Sequence, residues 1–452
     1  MRLDLRAMRE HIDRIARNAE QRNAARVDVA AFTEAYDRRL SLDKTLNALR
    51  AKRNEVSRTM RKLMAPSATQ TTEQQAAVHD LEAQGRHIKD EMVRLEEEAR
   101  QADAAVMSMA MRIPNDTHPD VPVGPEANAR LVKTVRHGDR RRHECEAVAS
   151  FTGPWQDHMA LGQRWDLFDF ETAARVSGTS FYYLRREAAL LELALIQWAV
   201  ARCVARGFVP TMTPDVVRVA VADACGFRPR DGEASQSYGV APMGGERAHA
   251  SGALCLSGTA EIPLAGLFAN SVHDKPQRVV AFGRCFRAEA GGRGRENRGL
   301  YRVHQFSKVE MFGVCGPETS DAMLEEFRQL QEELLDELGL DYRVLDMPTE
   351  ELGASAYRKY DIEAWMPGRN DWGEVTSTSN CTDYQARRLD IRWRSQGSGK
   401  PIFAHTLNGT ACAIPRIMIA LLETYQMADG RIHLPAVLQP WMHGQTTIGQ
   451  SS

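Results

Sequence analysis

A chain of 452 residues that is 43% hydrophobic and 26% charged has the apolar content for packed cores and the length for two or three domains, which excludes a disordered protein. Its formal net charge of -2 excludes a chain that is basic throughout, so any surface for nucleic acid must come from local clustering. The eight cysteines (Cys145, Cys203, Cys225, Cys255, Cys285, Cys315, Cys381 and Cys412) form no C-x-x-C pair and no His/Cys set at zinc-ligand spacing, and reduced thiols in an intracellular compartment are the simplest reading.

No apolar run approaches the roughly 20 residues of a membrane span. Met1 to Arg6 opens into a charged amphipathic segment and not the apolar stretch of a signal peptide, so a soluble, non-secreted protein without a membrane partner is expected.

From Leu42 the residues Leu42, Leu46, Leu49, Arg53, Val56, Met60 and Leu63 follow an alternating spacing of four and three, the seam of a coiled coil with one charged interruption. Pro66-Ser67 is expected to end that helix. A second seam runs through Val78, Leu81, Gly85, Ile88, Met92, Leu95, Ala99, Ala102, Val106 and Met109. The short link makes the two antiparallel, a hairpin of about 30 to 38 residues per helix and roughly 45 to 55 Å long.

Arg38 to Met64 carries nine Lys/Arg against Asp43 and Glu55, whereas Thr72 to Ala110 carries nine Asp/Glu against Arg86, Lys89, Arg94 and Arg100. Opposite charges on facing helices can pair across the seam. A basic surplus can also track a phosphate backbone by releasing counterions. Both readings stand together, because the hairpin has more than one exposed side.

Heptads stop around Ile113-Pro114-Asn115-Asp116, which places a domain boundary between residues 1–112 and 113–452. Beyond it, strand-like runs such as Arg278 to Phe282 alternate with helix-like stretches at Glu187 to Arg206, Ser320 to Leu338 and Ala413 to Tyr425, an α+β pattern. The polar tail Gly444 to Ser452 is expected to fray.

Three segments carry chemistry. Arg206-Gly207-Phe208 leading to Thr213-Pro214 reads as helix, glycine turn and strand, a common connection by itself. Phe286-Arg287-Ala288-Glu289, a glycine and arginine loop from Gly291 to Gly299, and Leu300 to Glu310 read as two strands around that loop. An arginine fixed on such a strand can clamp a phosphate bidentately and stabilise charge that grows there. Asn408 to Arg416 followed by Ile417 to Glu423 reads as strand, turn and helix, with Arg416 near the helix start where nucleotide phosphates are favoured.

In this order the three segments resemble the signature motifs of class II aminoacyl-tRNA synthetases. Cys225 to Arg230, Thr259 to Leu264, Tyr301 to Glu310 and Asn380 to Arg388 resemble the seryl-tRNA synthetase family specifically, and the likeness extends over essentially the whole chain. It implies an antiparallel catalytic sheet flanked by helices behind an N-terminal antiparallel coiled-coil arm, and a homodimer whose interface includes the first motif.

Position by position, the resemblance implies that Thr259, Glu261, Arg287, Glu310, Asn408 and Thr410 form the L-serine site, with Glu310 meeting the ammonium. It assigns ATP to Arg287, Glu289, Val303, Phe306, Glu374, Ser377 and Arg416. Within that set Arg287 contacts the α-phosphate, Phe306 stacks on adenine, and Arg416 reaches the γ-phosphate. Glu374 and Ser377 match a metal-binding pair, for which hard oxygen donors beside a triphosphate argue for Mg2+. Arg287, Glu310 and Arg416 would be catalytic.

The arm would grip the long variable arm of serine tRNA, with Arg50, Arg53, Arg58 and Arg61 as contacts. The wording resembles the bacterial and organellar branch, so the mitochondrial matrix or the cytoplasm is expected, although no Arg- and Ser-rich presequence precedes Arg2. Two other functions fit the same fold: a ligase serving a carrier protein or antibiotic pathway, and an inactive coiled-coil docking protein. The intact basic hairpin speaks against the first and the presence of Arg287, Glu289, Glu310 and Arg416 against the second.

Overall fold

The computed structural model describes residues 3–24, 26–64, 72–227, 236–241, 252–289, 298–395 and 399–449. Pro66-Ser67, Arg228 to Arg230, Ala234-Ser235 and the loop residues Gly291 to Asn297 lie outside them. The chain divides into two compact units, Leu3–Glu20 with Ala25–Ile113, and Gln21–Ala24 with the chain from Pro114 onward.

In the N-terminal unit the seam spacing produces helices α1 (Val29–Leu63) and α2 (Thr72–Arg112), of 35 and 41 residues. At 1.5 Å per residue they run about 52 and 62 Å. The second is longer than its seam implied, because helix continues ahead of Val78 and past Met109. Asp28 caps α1 by accepting the Ala31 N–H at 2.9 Å.

Leu42, Leu46 and Leu49 pack against Ile88, Met92, Leu95 and Ala102. Toward the far end of α1 the seam thins: Val56, Met60 and Leu63 are half-buried and Arg53 is exposed. Ion pairs link Arg39 to Asp103 at 2.6 Å and Arg50 to Glu96 at 3.6 Å, so the two helices run antiparallel. Two short helices, Leu5–Glu10 and Ile12–Gln21, contribute Leu5, Met8, Ile12 and Ile15 to a cluster with Phe32, Tyr36, Val106 and Ala110.

In the C-terminal unit the strand-like runs assemble into one eight-stranded sheet. Its members are β1 (Arg130–Val135), β2 (Val209–Met212), β3 (Gln277–Phe286), β4 (Gln305–Cys315), β5 (Tyr342–Asp346), β6 (Arg358–Met366), β7 (Asp371–Asn380) and β8 (His405–Ala413). The order is β1-β5-β6-β7-β8-β4-β3-β2, antiparallel except where β2 runs parallel to β3.

Among the helices of this unit are α3 (His158–Arg164), α4 (Arg186–Ala205), α5 (Glu261–Leu267), α6 (Ser320–Glu337), α7 (Tyr384–Leu389) and α8 (Ile414–Thr424). Alternation along β4 turns Val309 and Met311 toward a core with Leu191, Leu195 and Trp198 of α4, Phe327 of α6 and Ile417 of α8. Phe312 and Val314 point the other way, into a second core with Ile262 and Leu264 of α5 and Leu389 of α7.

Two expectations need correction. Helix α4 has 20 residues and, by length and composition alone, is apolar enough to cross a membrane, contrary to the reading that no such run exists. One face of it is a core face, with Ala188, Leu191, Ala194, Leu195, Trp198 and Ala199 buried, while Leu193 and Val204 are exposed, and Glu192 on the same helix pairs with Arg284 at 2.8 Å. The tail does not fray as far as Gly449, because Thr447–Ile448 pairs antiparallel with Ile432–His433 and Ile448 is fully buried.

Leu46→Ala should destabilise the N-terminal unit by about 2–4 kcal/mol, the usual cost of emptying a packed leucine site. Hydrogen exchange followed by mass spectrometry should show α1 and α2 exchanging faster while β3 to β8 keep their protection.

Candidate active site

A site built on a sheet requires its side chains to share a face, and strand parity decides which do. Along β4 the even positions Phe306, Lys308 and Glu310 share a face. Two irregularities bring the other strands into phase with them. Between β4 and β8 the register steps from Val309↔Cys412 to Glu310↔Thr410, so that Ala411 is the extra residue and Thr410 stands opposite Glu310.

Between β6 and β7 it steps from Ile362↔Thr376 to Glu363↔Glu374, with Val375 extra. Residues three apart on a regular strand point to opposite faces. This bulge puts Glu374 opposite Glu363 and Ser377 opposite Asp361, and therefore on one face.

At one end of that face lie the residues of the T-x-E segment and the third motif. Glu261 opens α5 and is buried; its Oε1 accepts the amide N–H groups of Gln385 at 2.6 Å and Asn408 at 2.9 Å. Thr406 donates to Gln385 at 2.8 Å, fixing which end of that amide faces Glu261. Buried Glu310 meets Lys308 Nζ at 2.6 Å and accepts from the Thr410 hydroxyl at 3.2 Å. Thr259 is buried just ahead of Glu261, its hydroxyl accepting the Glu261 N–H at 3.4 Å.

Burial first, and the Glu310 carboxylate second, push Glu261 up to about 7, against the pull of Lys308, Gln385 and Arg287. Two carboxyl groups thus lie within electrostatic reach of one buried ammonium that bonds only Glu310, a setting that favours a further cation.

At the other end lie Arg287 and Arg416. Arg287 follows β3, donates to the Gly258 carbonyl at 3.3 Å and lies 5.2 Å from the Phe306 ring centroid. Glu289, in the left-handed region at φ 46°, pairs with Arg302. Val303 is buried in the segment leading into β4.

Arg416, in the first turn of α8, donates to the Glu374 carboxylate and carbonyl, both at 3.0 Å, and to the Tyr301 carbonyl at 3.3 Å. A cation at a helix N-terminus opposes the helix dipole, so this one needs its anionic company. Partial loss of water around it pushes the Glu374 carboxyl up, but the charge and hydrogen bond of Arg416, together with Lys359, more than reverse this and hold it at about 2.

Glu374 is therefore ionised, and its side chain is 41% exposed, open to a ligand. On the same face Asp361 is buried with Oδ2 on Lys359 Nζ at 2.7 Å and Oδ1 without a hydrogen-bond partner among the described residues. Glu374, Ser377 and Asp361 present only hard oxygen donors, a set suited to Mg2+ and not to a soft metal. Among the described residues nothing here resembles an activated nucleophile: burial pushes the Cys285 thiol up to about 11 and raises Cys225, Cys381 and Cys412 as well.

The four arginines of the arm lie on α1. Arg50 faces Glu96 and bonds Asn47, whereas among the described residues Arg53, Arg58 and Arg61 have no carboxylate partner, and Arg61 bonds only the Ser57 carbonyl one turn back. Sequence reasoning did not single out Lys308, Gln385, Asp361 or Tyr301. Lys308 was within reach, since counting back two from Glu310 on a strand finds its same-face neighbour. Gln385 and Asp361 come from segments whose proximity to Glu261 and Ser377 only pairing reveals.

Residues 2–117 match the seryl-tRNA synthetase N-terminal domain, and residues 247–425 match the tRNA synthetase class II core domain (G, H, P, S and T). The chain is 42% identical to the serine–tRNA ligase of Treponema denticola over 97% of its own length and 98% of that protein. It is 41% identical to the mitochondrial serine–tRNA ligase of Mus musculus over 97% of its length and 83% of that protein. The seryl-tRNA synthetase of Pyrococcus horikoshii complexed with ATP superposes over the full length of both chains with a TM-score of 0.82 at 33% identity. The cytoplasmic serine–tRNA ligase of Naegleria fowleri in complex with AMP gives 0.79 at 26% identity, over 100% of this chain and 99% of that one.

The two displaced carboxyls act on stability in opposite directions. Glu261 binds its proton more tightly folded than unfolded, so its contribution is full below the ordinary carboxyl value of 4.5 and is lost as pH rises toward 7. Glu374 contributes above 4.5, and that contribution is lost as pH falls toward 2. In urea titrations from pH 5 to 7.5, Glu261→Gln should gain stability relative to the parent as pH rises. A difference that stays flat with pH would contradict the buried-carboxyl account.

Proposed function

We propose a residue-level mechanism for a chain that belongs to the seryl-tRNA synthetase family and whose activity is the ATP-dependent joining of serine to tRNA. The observation that carries the site assignment is the convergence of Glu261, Glu310, Asn408, Thr410, Arg287 and Arg416, drawn from three sequence-distant segments, around one face of the sheet.

Serine enters with its ammonium against Glu310 and the Thr259–Glu261 loop, where two carboxylates outnumber Lys308. Thr410 and Asn408 offer short polar groups to the hydroxyl. An alanine in its place would leave buried partners unpaired, a strong basis for rejection. ATP lies with adenine on Phe306 and beside Glu289 and Val303, its α-phosphate on Arg287 and its γ-phosphate on Arg416. Magnesium, held by Glu374 and Ser377, would neutralise charge on the phosphate oxygens.

The serine carboxylate then attacks the α-phosphorus in line, the bond to the bridging oxygen breaks, and pyrophosphate leaves. In the second step the terminal hydroxyl of tRNA attacks the seryl carbonyl and AMP departs. Arg287 stabilises the charge that builds on the α-phosphate oxygens, and positioning supplies much of the rest. No protein nucleophile enters, in keeping with the raised thiols.

The arm serves tRNA. Arg53, Arg58 and Arg61 are its best candidates, because no carboxylate among the described residues of the hairpin meets their charge. The active form is a homodimer: Val209 and Met212 of β2, in the first motif, and Leu193 and Val204 of α4, which precedes it, are exposed apolar groups, with Met212 at 82%, and a second copy would cover them. The relatives are bacterial and mitochondrial, so the working compartment is the cytoplasm or the mitochondrial matrix. Neither a carrier-protein ligase nor an inactive docking rod gains support, since both the N-terminal domain and the full polar constellation are present.

Arg287→Ala and Glu310→Ala should each lower serine-dependent ATP–pyrophosphate exchange by on the order of 10²-fold or more, with the oligomer intact by light scattering. Wild-type exchange in either variant would remove that residue from the site. Replacing Arg53, Arg58 and Arg61 together with Gln should weaken serine tRNA binding and make its salt dependence shallower by about 0.7–0.9 for each phosphate no longer neutralised. Arg50→Gln should change the slope less, because Glu96 already engages that charge.

A further inference from the structure

One fully buried carboxylate takes no part in the chemistry above. Glu423 lies in the last turn of α8, about two turns beyond Arg416, and has no exposed surface. A carboxylate so placed must be held by hydrogen bonds. Its Oε1 accepts the backbone N–H of His158 at 3.0 Å and lies 3.3 Å from His158 Nδ1, and its Oε2 accepts the backbone N–H of Arg369 at 3.0 Å.

His158, 8% exposed at the start of α3, uses its other ring nitrogen on a different segment: Nε2 accepts the backbone N–H of Leu300 at 3.3 Å. A backbone N–H can only donate, so Nε2 is bare and Nδ1 carries the proton offered to Glu423. Partners at both ends thus fix one neutral tautomer.

Leu300 stands where the chain returns from the glycine and arginine loop toward β4, and Tyr301 follows it. The Tyr301 ring lies between two guanidiniums, with Arg369 at 4.1 Å and Arg416 at 4.6 Å from its centroid, and its carbonyl accepts from Arg416 Nε at 3.3 Å. Glu423 thereby ties down the Arg369 turn directly and Leu300-Tyr301 through His158, and these are the groups around Arg416. Packing at the imidazole is close enough that a Cβ on Gly299, where φ is +68°, would lie 2.3 Å from Nε2.

We propose that His158, oriented by Glu423, is a positioning residue for the nucleotide end of the site. It fixes Leu300-Tyr301, and Tyr301 in turn aims the Arg416 guanidinium. This rests on the assignment of Arg416 to the γ-phosphate. The serine end is assembled by α5, α7, β4 and β8, so the effect is confined to ATP.

The test is serine-dependent ATP–pyrophosphate exchange with the full chain, reading KM for ATP and for serine separately in His158→Ala, His158→Gln, Gly299→Ala and Arg416→Ala. His158→Ala and Gly299→Ala should raise KM for ATP about tenfold, the scale of removing one buried hydrogen bond, with KM for serine within about twofold of the parent. Glutamine reaches the position of Nε2 with an acceptor, so His158→Gln should recover most of the loss.

Equal rises in both KM values, unchanged KM for ATP, or a His158→Gln variant no better than His158→Ala would overturn the proposal. If His158→Ala does not fold, the same reading is taken from Gly299→Ala and His158→Gln. A defective Arg416→Ala beside normal His158 variants would reject the relay alone, whereas an unimpaired Arg416→Ala would reject the phosphate assignment beneath it.

Discussion

In a pleated strand each side chain faces away from its neighbours, so a site assembled on a sheet is limited by parity before chemistry enters. Here the carboxylate Glu374 and the hydroxyl Ser377 are separated by an odd number of positions, and a regular strand would hold them on opposite faces. Absorbing Val375 into a bulge removes the conflict, and the same device at Ala411 sets Thr410 against Glu310. Bulges interrupt a ladder, and their place beside the polar groups marks where regularity has been given up for a shared face.

That face concentrates charge that would be unstable if dispersed through a core. Glu261 and Glu310 flank a single buried ammonium, and Arg416 stands at the end of a helix whose dipole repels it. Glu423 closes the same helix with a negative charge where the dipole disfavours one. Both charges on α8 are therefore supported by tertiary partners: Glu374 and Tyr301 at the start, His158 and two backbone N–H groups at the end. Such local disagreement with helix preference is what a functional site leaves behind.

The N-terminal unit follows simpler rules. A two-helix seam buries a single row of apolar residues on each helix, so most of its surface remains available to charged groups. Arg39 and Arg50 meet acidic residues of the facing helix, while Arg53, Arg58 and Arg61 lie where the seam is thinner. Charge pairing across the seam thus engages Arg39 and Arg50 and leaves Arg53, Arg58 and Arg61 without a carboxylate partner among the described residues.

The amino-acid order alone determined the hairpin, because heptad spacing is a local property that needs no partner beyond the next helix. It also determined the helices α6 and α8 through their apolar periodicity and α4 through its long apolar run, and the family resemblance pointed to Arg287, Glu310 and Arg416. It did not determine that Lys308 neutralises Glu310, that Gln385 and Asn408 both donate to Glu261, or that His158 reaches Leu300 across more than a hundred residues. The last two join segments distant in the chain, and the placing of Thr410 against Glu310 and of Ser377 on the face of Glu374 depends on strand register and on two inserted residues, each of which shifts the pairing by one position and so changes which side chains meet. Register is fixed by the summed burial of both sheet faces, a property of the assembled fold that no single segment carries.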